Sequence, residues 1–349
     1  QPASLGSRMT AYIARRLVLL PIVAFGVTLL IFILLQLLSP TMRAALFVTD
    51  PRQLQALHEI IKTYQLDAPF YIQYWNWMKA VFTGNWGWSE TARMPVLQAI
   101  KSFFPNTFEL ALLSFIPILL VGIWLGTLSA VHRDRIIDHL SRFFGISGYS
   151  LPTFIWGLFL LMLFYGHFRW FPPGRLSLEA SLYVNSPEFR RFTGLLTVDA
   201  LLNGEFWIFV DALRHLALPV LTLTVHDTAL LVRITRSSML EVLRQDYVRT
   251  ARSKGLAEPV VINKHARKNA LIPVITLSSL LFVGLLGGVV ITETVFEYPG
   301  IGRWGAAAAL HLDIPAVAGF ALFFATLTVF GNLVADILYA YVDPRIRLR

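Results

Sequence analysis

The chain has 349 residues, 56% of them hydrophobic and only 15% charged, with a net charge of +9 and no cysteine. Soluble domains carry roughly 25% charged residues, so this balance excludes an ordinary soluble protein. A chain without cysteine also forms no disulfides.

A bilayer core of about 30 Å takes a helix of about 20 mostly apolar residues. Five stretches meet that test without a single charge: 17–38, 110–131, 143–166, 270–292 and 314–335. A sixth, 216–232, is interrupted only by His226 and Asp227. The expected fold is all-α, a polytopic bundle of six transmembrane helices. Residues 1–8 precede a plausible start at Met9 and read as an appended remnant. The first span is too long for a signal-peptide core, and no small-residue cleavage site follows it, so it is expected to stay in the mature chain.

After the first span comes an outer segment, 39–103, in which 51–64 and 68–81 read as short helices. The second of these carries Tyr71, Tyr74, Trp75 and Trp77, suited to the headgroup level. Gly84-Asn85-Trp86-Gly87 is a turn signal before the chain re-enters. A short inner loop, 132–142, joins spans two and three. A second outer segment, 167–214, holds Pro172-Pro173-Gly174 and is too polar to span; its aromatic run 206–209 is expected to dip into the interface. The fourth span leads to a long loop, then the fifth span, a short outer loop at 293–313 and the last span. Residues 9–102 read as an N-terminal addition, 103–342 as one membrane domain containing the loop 233–269, and 343–349 as a tail.

The charge follows this topology. With the N-terminus inside, the inner segments 8–16, 132–142, 233–268 and 343–349 hold 18 of the 30 Lys and Arg residues, although they are shorter than the outer ones. That bias places both termini in the cytoplasm, and a surplus so distributed needs no nucleic acid.

The long inner loop is the most informative stretch. It runs Thr235-Arg236-Ser237-Ser238-Met239-Leu240-Glu241, then Asp246-Tyr247-Val248-Arg249-Thr250-Ala251-Arg252-Ser253-Lys254-Gly255-Leu256, then Lys264-His265-Ala266-Arg267-Lys268-Asn269-Ala270-Leu271-Ile272-Pro273. Asp246 is suited to cap a basic helix, and Gly255 permits the left-handed conformation that ends one. A further short helix is expected at 257–264, lying across the membrane surface. Such a rigid element can dock into a groove on a partner; a bland alternative is a basic loop that sets topology and touches anionic lipid.

These residues closely resemble the coupling segment of binding-protein-dependent ABC importer permeases, in the form found in the peptide/nickel permease family. Arg249-Thr250-Ala251 stands where the general motif has Glu-Ala-Ala, which suits the peptide subgroup. Similar matches are Arg15-Arg16-Leu17, His215-Leu216-Ala217-Leu218-Pro219, Glu293-Thr294-Val295-Phe296-Glu297-Tyr298-Pro299-Gly300-Ile301-Gly302-Arg303 and Asp343-Pro344-Arg345-Ile346, covering nearly the whole length from Met9.

The resemblance implies a type I ABC importer permease fold and the first, B-type, of two permease subunits in a bacterial or archaeal plasma membrane. The implied partners are a second permease, two ATPase subunits or a fused pair, and an extracytoplasmic binding protein. The coupling segment would comprise Asp246, Tyr247, Arg249, Thr250, Ala251, Lys254, Gly255, Leu256, Ala257 and Glu258. No G-x-x-x-x-G-K-[ST] loop is present, so the chain is not expected to be an enzyme or to hold a cofactor; ATP and Mg would sit in the ATPase partners. Di- or oligopeptides are the expected cargo, and nickel chelates or another small solute the alternative. The scattered histidines form no convincing metal site.

Ionisable groups at membrane depth are the first place to look for a pathway. His226 and Asp227 either line the cavity or hydrogen-bond neighbouring helices. Glu293, Glu297, Pro299, Gly300, Gly302 and Arg303 read as an outer gate or binding-protein contact, while Glu109 and Asp336 read as structural. Gly145-Ile146-Ser147-Gly148 imitates the G-x-S-G of rhomboid-type intramembrane proteases, with His226 a conceivable base; small residues are also common where membrane helices pack.

Overall fold

A computed structural model describes residues 5–50, 52–53 and 57–342. The closing motif at 343–346 and the side chains of Arg15, Arg16 and Asp336 lie outside the described residues. Among the described residues the regular structure is helical apart from one antiparallel pair of two-residue strands, β1 (Trp88–Ser89) and β2 (Met94–Pro95). It divides into two compact units. One holds residues through 107 with 287–290 and 299–333; the other holds 108–286, 291–298 and residues from 334 on.

The first unit begins with α1 (Leu5–Leu35), followed by α2 (Pro40–Ala44), α3 (Leu57–Thr63) and α4 (Phe70–Phe82). Ser39 caps α2 by accepting from the Met42 amide, and Pro40 occupies the first turn, where its missing N–H costs nothing. Phe32 of α1 stacks on Trp77 of α4, and Thr28 pairs with the Tyr74 hydroxyl at 2.8 Å. Arg43 is buried among Gln36, Gln73 and the Leu66 carbonyl, which accept from its guanidinium. In the same unit, the Asp313 carboxylate accepts from Ser89 Oγ at 2.7 Å and from the Thr91 amide at 2.9 Å. It also accepts from the Ala316 amide, capping α16 (Ile314–Val342).

The second unit is organised by α10 (Phe206–Val242), whose 37 residues span about 55 Å at about 1.5 Å per residue. The aromatic run 206–209 is its first turn, and the fourth span is its middle. Gly122 and Gly126 of α5 (Val96–Val131) meet α10 so closely that a Cβ on Gly126 would lie 2.6 Å from Thr235 Cβ. Small residues at this spacing let membrane helices approach backbone to backbone.

Among the described residues five helices are long and apolar enough to cross a membrane: α1, α5, α10, the continuous stretch Glu258–Leu286, and α16. The third predicted span, 143–166, is broken. α6 (Ile136–Ser150) and α7 (Thr153–Leu160, continuing as a wider turn to His167) meet at a bend of 100°. Pro152 is the cause: its ring pushes Leu151 out of the helical region to φ −90°, ψ 132°. The Trp156 indole N–H then donates to the Gly148 carbonyl freed at the break, at 3.1 Å.

Candidate functional site

The motif-bearing loop folds as a short helix, α11 (Asp246–Ser253), standing on an apolar base. Val248 and Ala251, three residues apart and so on one face, are buried against Ala130, Met239, Val261, Ala266 and Ala270. Burying a side chain such as Val248 is worth about 1.5–3 kcal/mol. The opposite face of α11 holds Tyr247, Arg249 and Thr250, all exposed. Asp246 is not the cap: Gln245 is, and Asp246 is the first helical residue, its carboxylate 3.6 Å from Arg249. An acid there still complements the positive helix end.

Lys254 and Gly255 end α11. Gly255 takes φ +75° with nothing within 4 Å of the position a Cβ would occupy, so backbone conformation rather than space demands glycine. Arg252 donates to the Glu258 carboxylate through Nη2 at 2.6 Å and Nε at 3.1 Å, closing the turn that carries Leu256 and Ala257. The expected separate helix at 257–264 is absent. Glu258–Val260 opens a stretch that runs through a wider turn at Val261–Ala266 into α13 (Arg267–Leu286) without a break. Pro259 falls in the first turn, where proline starts a helix instead of stopping it. The Asn269 side chain donates to the Tyr247 hydroxyl at 2.9 Å, tying α13 to α11.

Just above this base lies an ion pair that sequence reasoning missed. Asp138 is fully buried and accepts from Arg236 Nε at 2.6 Å and Nη2 at 2.8 Å. It also accepts from Ser129 Oγ at 2.6 Å and from the Asp134 amide at 3.0 Å. Both carboxylate oxygens thus face two donors, the condition under which a buried charge is tolerated. The available signal was an acid inside an otherwise basic loop, together with the arginine of the Thr235-Arg236 motif.

His226 and Asp227 sit midway along α10, with Nδ1 of His226 3.0 Å from Oδ1 of Asp227 and side chains 23% and 20% exposed. The His226 ring lies 5.5 Å from that of Tyr149 on α6, and the Arg233 guanidinium stands over the same tyrosine at 5.4 Å. Gly148 packs against Ala229 and the Val225 carbonyl of α10. The glycines of the Gly145–Gly148 run are thus contact points between α6 and α10.

The outer motif separates into buried and exposed parts. In α14 (Val290–Val295) Glu293 is 0% exposed, so within this chain it presents no surface to a partner. Glu297, at φ +53°, is exposed, and Tyr298 beside it is fully buried, its phenol pushed far above the ordinary range by burial. Pro299 offers its carbonyl to the Asn106 side chain, and Gly300 precedes α15 (Ile301–Leu310), whose first amide donates to Thr107 Oγ1 at 2.8 Å. Gly302 is buried against Gly288, while Arg303 is half-buried. The position missed in this motif is Glu293, because an acid in an outer loop reads as surface. Glu109 is buried too, accepting from the Thr197 amide and hydroxyl at 2.6 Å and from Arg175 at 3.4 Å.

A bundle of long apolar helices carrying a pinned, polar-faced helix between two of them is the architecture of a transport permease. Residues 122–348 match the binding-protein-dependent transport system inner membrane component family, and residues 9–111 match its N-terminal counterpart. The chain belongs to this family. It is 42% identical to the di/tripeptide transport system permease protein DppB of Pseudomonas aeruginosa, over 97% of this chain and 99% of that one. Identity is 40% to the dipeptide transport system permease protein DppB of Escherichia coli and 39% to the oligopeptide transport system permease protein AppB of Bacillus subtilis, over the same shares.

Proposed function

We propose that this chain is the first of two permease subunits of an ATP-driven importer and forms half of the translocation path for di- and oligopeptides. Support for the cargo comes from relatives named for di-, tri- and oligopeptide transport at about 40% identity over almost their whole length. Support for the mechanism rests on one observation: α11 is held by Val248 and Ala251 while Tyr247, Arg249, Thr250, Lys254 and Leu256 face outward. In this reading the outward face docks on a cytoplasmic ATPase, one for each of the two permeases, and the apolar base passes its displacement into α10 and α13. ATP and Mg belong to those partners.

The basic inner segments put both termini in the cytoplasm of a bacterial or archaeal cell. Residues 9–102 form an N-terminal addition, 103–342 the transport domain and 343–349 a tail. On the outer side Glu297 meets the binding protein, and Arg303 with Pro299, Gly300 and Gly302 shapes the gate. His226 and Asp227 face the path.

Gly255→Pro tests the coupling role, because proline cannot adopt φ +75° and removes the amide that donates to the Arg252 carbonyl. The reconstituted complex is expected to keep hydrolysing ATP while uptake falls at least about tenfold, which is about 1.4 kcal/mol of lost coupling. Unchanged uptake would overturn the role. For the cargo, titrating the cognate binding protein with dipeptides and with nickel chelates decides: a tight response to nickel alone replaces the peptide reading.

A further inference from the structure

The helix pair α6 and α10 carries an array that neither the motif nor the family match assigns. Along α10, His226, Leu230, Arg233 and Ser237 follow one another at i, i+4, i+7 and i+11, which puts them on one face. That face lies opposite the buried side defined by Thr228, Leu231, Val232, Thr235 and Met239. Asp227 flanks it, and Tyr149 of α6 leans onto it between His226 and Arg233. Among the described residues Arg233 makes no ion pair. The result is a graded strip: a carboxylate at one end, two stacked rings in the middle and a guanidinium at the other end.

Asp227 near the middle of the span is not at rest against lipid, since a charge at the centre of a spanning helix costs about 2.5–3.5 kcal/mol on insertion scales, while Arg233 stands at the span's inner end. They need water, another protein surface or a polar ligand. The dimensions favour one ligand class. Asp227 and Arg233 are six residues apart, which is roughly 9 Å along the axis at about 1.5 Å per residue. A di- or tripeptide, at about 3.3–3.6 Å per residue, is about 7–11 Å long. Its charges also run in the matching sense, an ammonium at one end and a carboxylate at the other.

We propose that Asp227, His226, Tyr149 and Arg233 form a recognition strip for a short zwitterionic peptide, which rests on the peptide-import reading. Asp227 takes the terminal ammonium. The Tyr149 and His226 rings provide a face for an apolar or aromatic side chain. Arg233 leaves the tyrosine ring to take the terminal carboxylate, for which its planar fork is suited. Because every contact is to a terminus or a flat ring, the strip reads length and charge rather than side-chain identity.

The test uses the complete transporter in proteoliposomes, with its binding protein and with alanyl-phenylalanine as the probe. Since this chain has no cysteine, Leu230→Cys adds its only thiol, and modification by a hydrophilic thiol reagent is read from this chain's mass. Modification is expected to proceed from the aqueous path and to slow at least about fivefold with saturating peptide. Adding Arg233→Gln is expected to abolish that protection, while Arg233→Lys retains part of it. Absence of modification, or modification indifferent to peptide, overturns the strip and leaves the face as a contact with the companion subunit. Peptide uptake by the unmodified complex separates the two levels. No uptake removes the import reading itself. Normal uptake, together with uptake within twofold in both Asp227→Asn and Arg233→Gln, removes only the strip.

Discussion

Two acid–base pairs hang from the same helix, and their surroundings make them opposites. Asp138 and Arg236 are closed: the carboxylate is buried, doubly bonded to the guanidinium and further held by Ser129 and the Asp134 amide. Asp227 and His226 are open, sharing a single contact of 3.0 Å, with each side chain about a fifth exposed. A charge whose lone pairs are all satisfied from within has nothing to offer a ligand and acts as a rivet. A charge with unmet capacity at membrane depth is waiting for a partner. Between these two pairs, hydrogen-bond saturation rather than residue type makes the difference.

The comparison breaks first at the rivet. Asp138→Ala leaves Arg236, whose side chain is only 20% exposed, without its counter-charge, and losing one partner of a buried pair costs up to about 3–5 kcal/mol. Thermal unfolding of the purified subunit or complex is expected to show a larger loss than any single substitution at Gly126, Val248 or Asp227. Asp138→Asn combined with Arg236→Met is expected to recover much of that loss, because neither partner is then left charged and alone. If Asp138→Ala unfolds at the wild-type temperature, the pair does not act as a rivet.

A second, smaller effect is expected where α5 meets α10. Gly126→Val forces a side chain into space already held by Thr235 and the Val232 carbonyl, and overpacking of this kind costs about 1–3 kcal/mol. The shift would be read by the same unfolding measurement. Because Thr235 neighbours Arg236, Gly126→Val and Asp138→Ala are expected to be non-additive; additive losses would mean that the helix contact and the rivet act independently.

How far the chain could be read from its sequence follows the same division. Local signals were legible: four of the five uncharged runs, and the run around His226, fall on the five continuous helices. A helix also begins at Asp246 and stops just before Gly255. Proline was legible only in part. Pro152 breaks the third span because the residue before it is driven extended, whereas Pro259 opens a helix that runs on into α13 instead of ending near 264 as expected, since a first-turn proline loses no hydrogen bond. What was not legible is long-range satisfaction. Asp138 and Arg236 are separated by 98 positions, and nothing local marks Glu293 as fully buried. Composition and periodicity report which residues prefer water. They do not report which of the exceptions found donors elsewhere in the chain.

The third substitution sharpens the comparison on the α11 side, where burial and exposure alternate within a single turn. Val248→Ala removes two buried methyl groups and is expected to cost about 1.5 kcal/mol at about 0.8 kcal/mol per carbon, loosening α11 from its base. Tyr247→Ala next to it gives up one exposed hydrogen bond from Asn269 and is expected to cost less, about 0.5 kcal/mol. Its effect should instead appear in the ratio of uptake to ATP hydrolysis. Equal stability losses from both would contradict the division of α11 into a buried spine and a presented face.

A small effect on stability is also expected at the open pair, and there smallness is the diagnostic. Asp227→Asn keeps the shape and the capacity to hydrogen-bond His226 while removing the charge. Were this pair a second rivet, the loss would approach that of Asp138→Ala, several kcal/mol. As an open pair it gives up one partly hydrated contact, so unfolding is expected to move by less than about 1 kcal/mol, and relief of the acid's own desolvation works in the opposite direction. A near-neutral shift beside the large loss at Asp138 keeps the two pairs in different classes. A loss of several kcal/mol would merge them, and Asp227 would then join Asp138 among the groups that hold α10 in place.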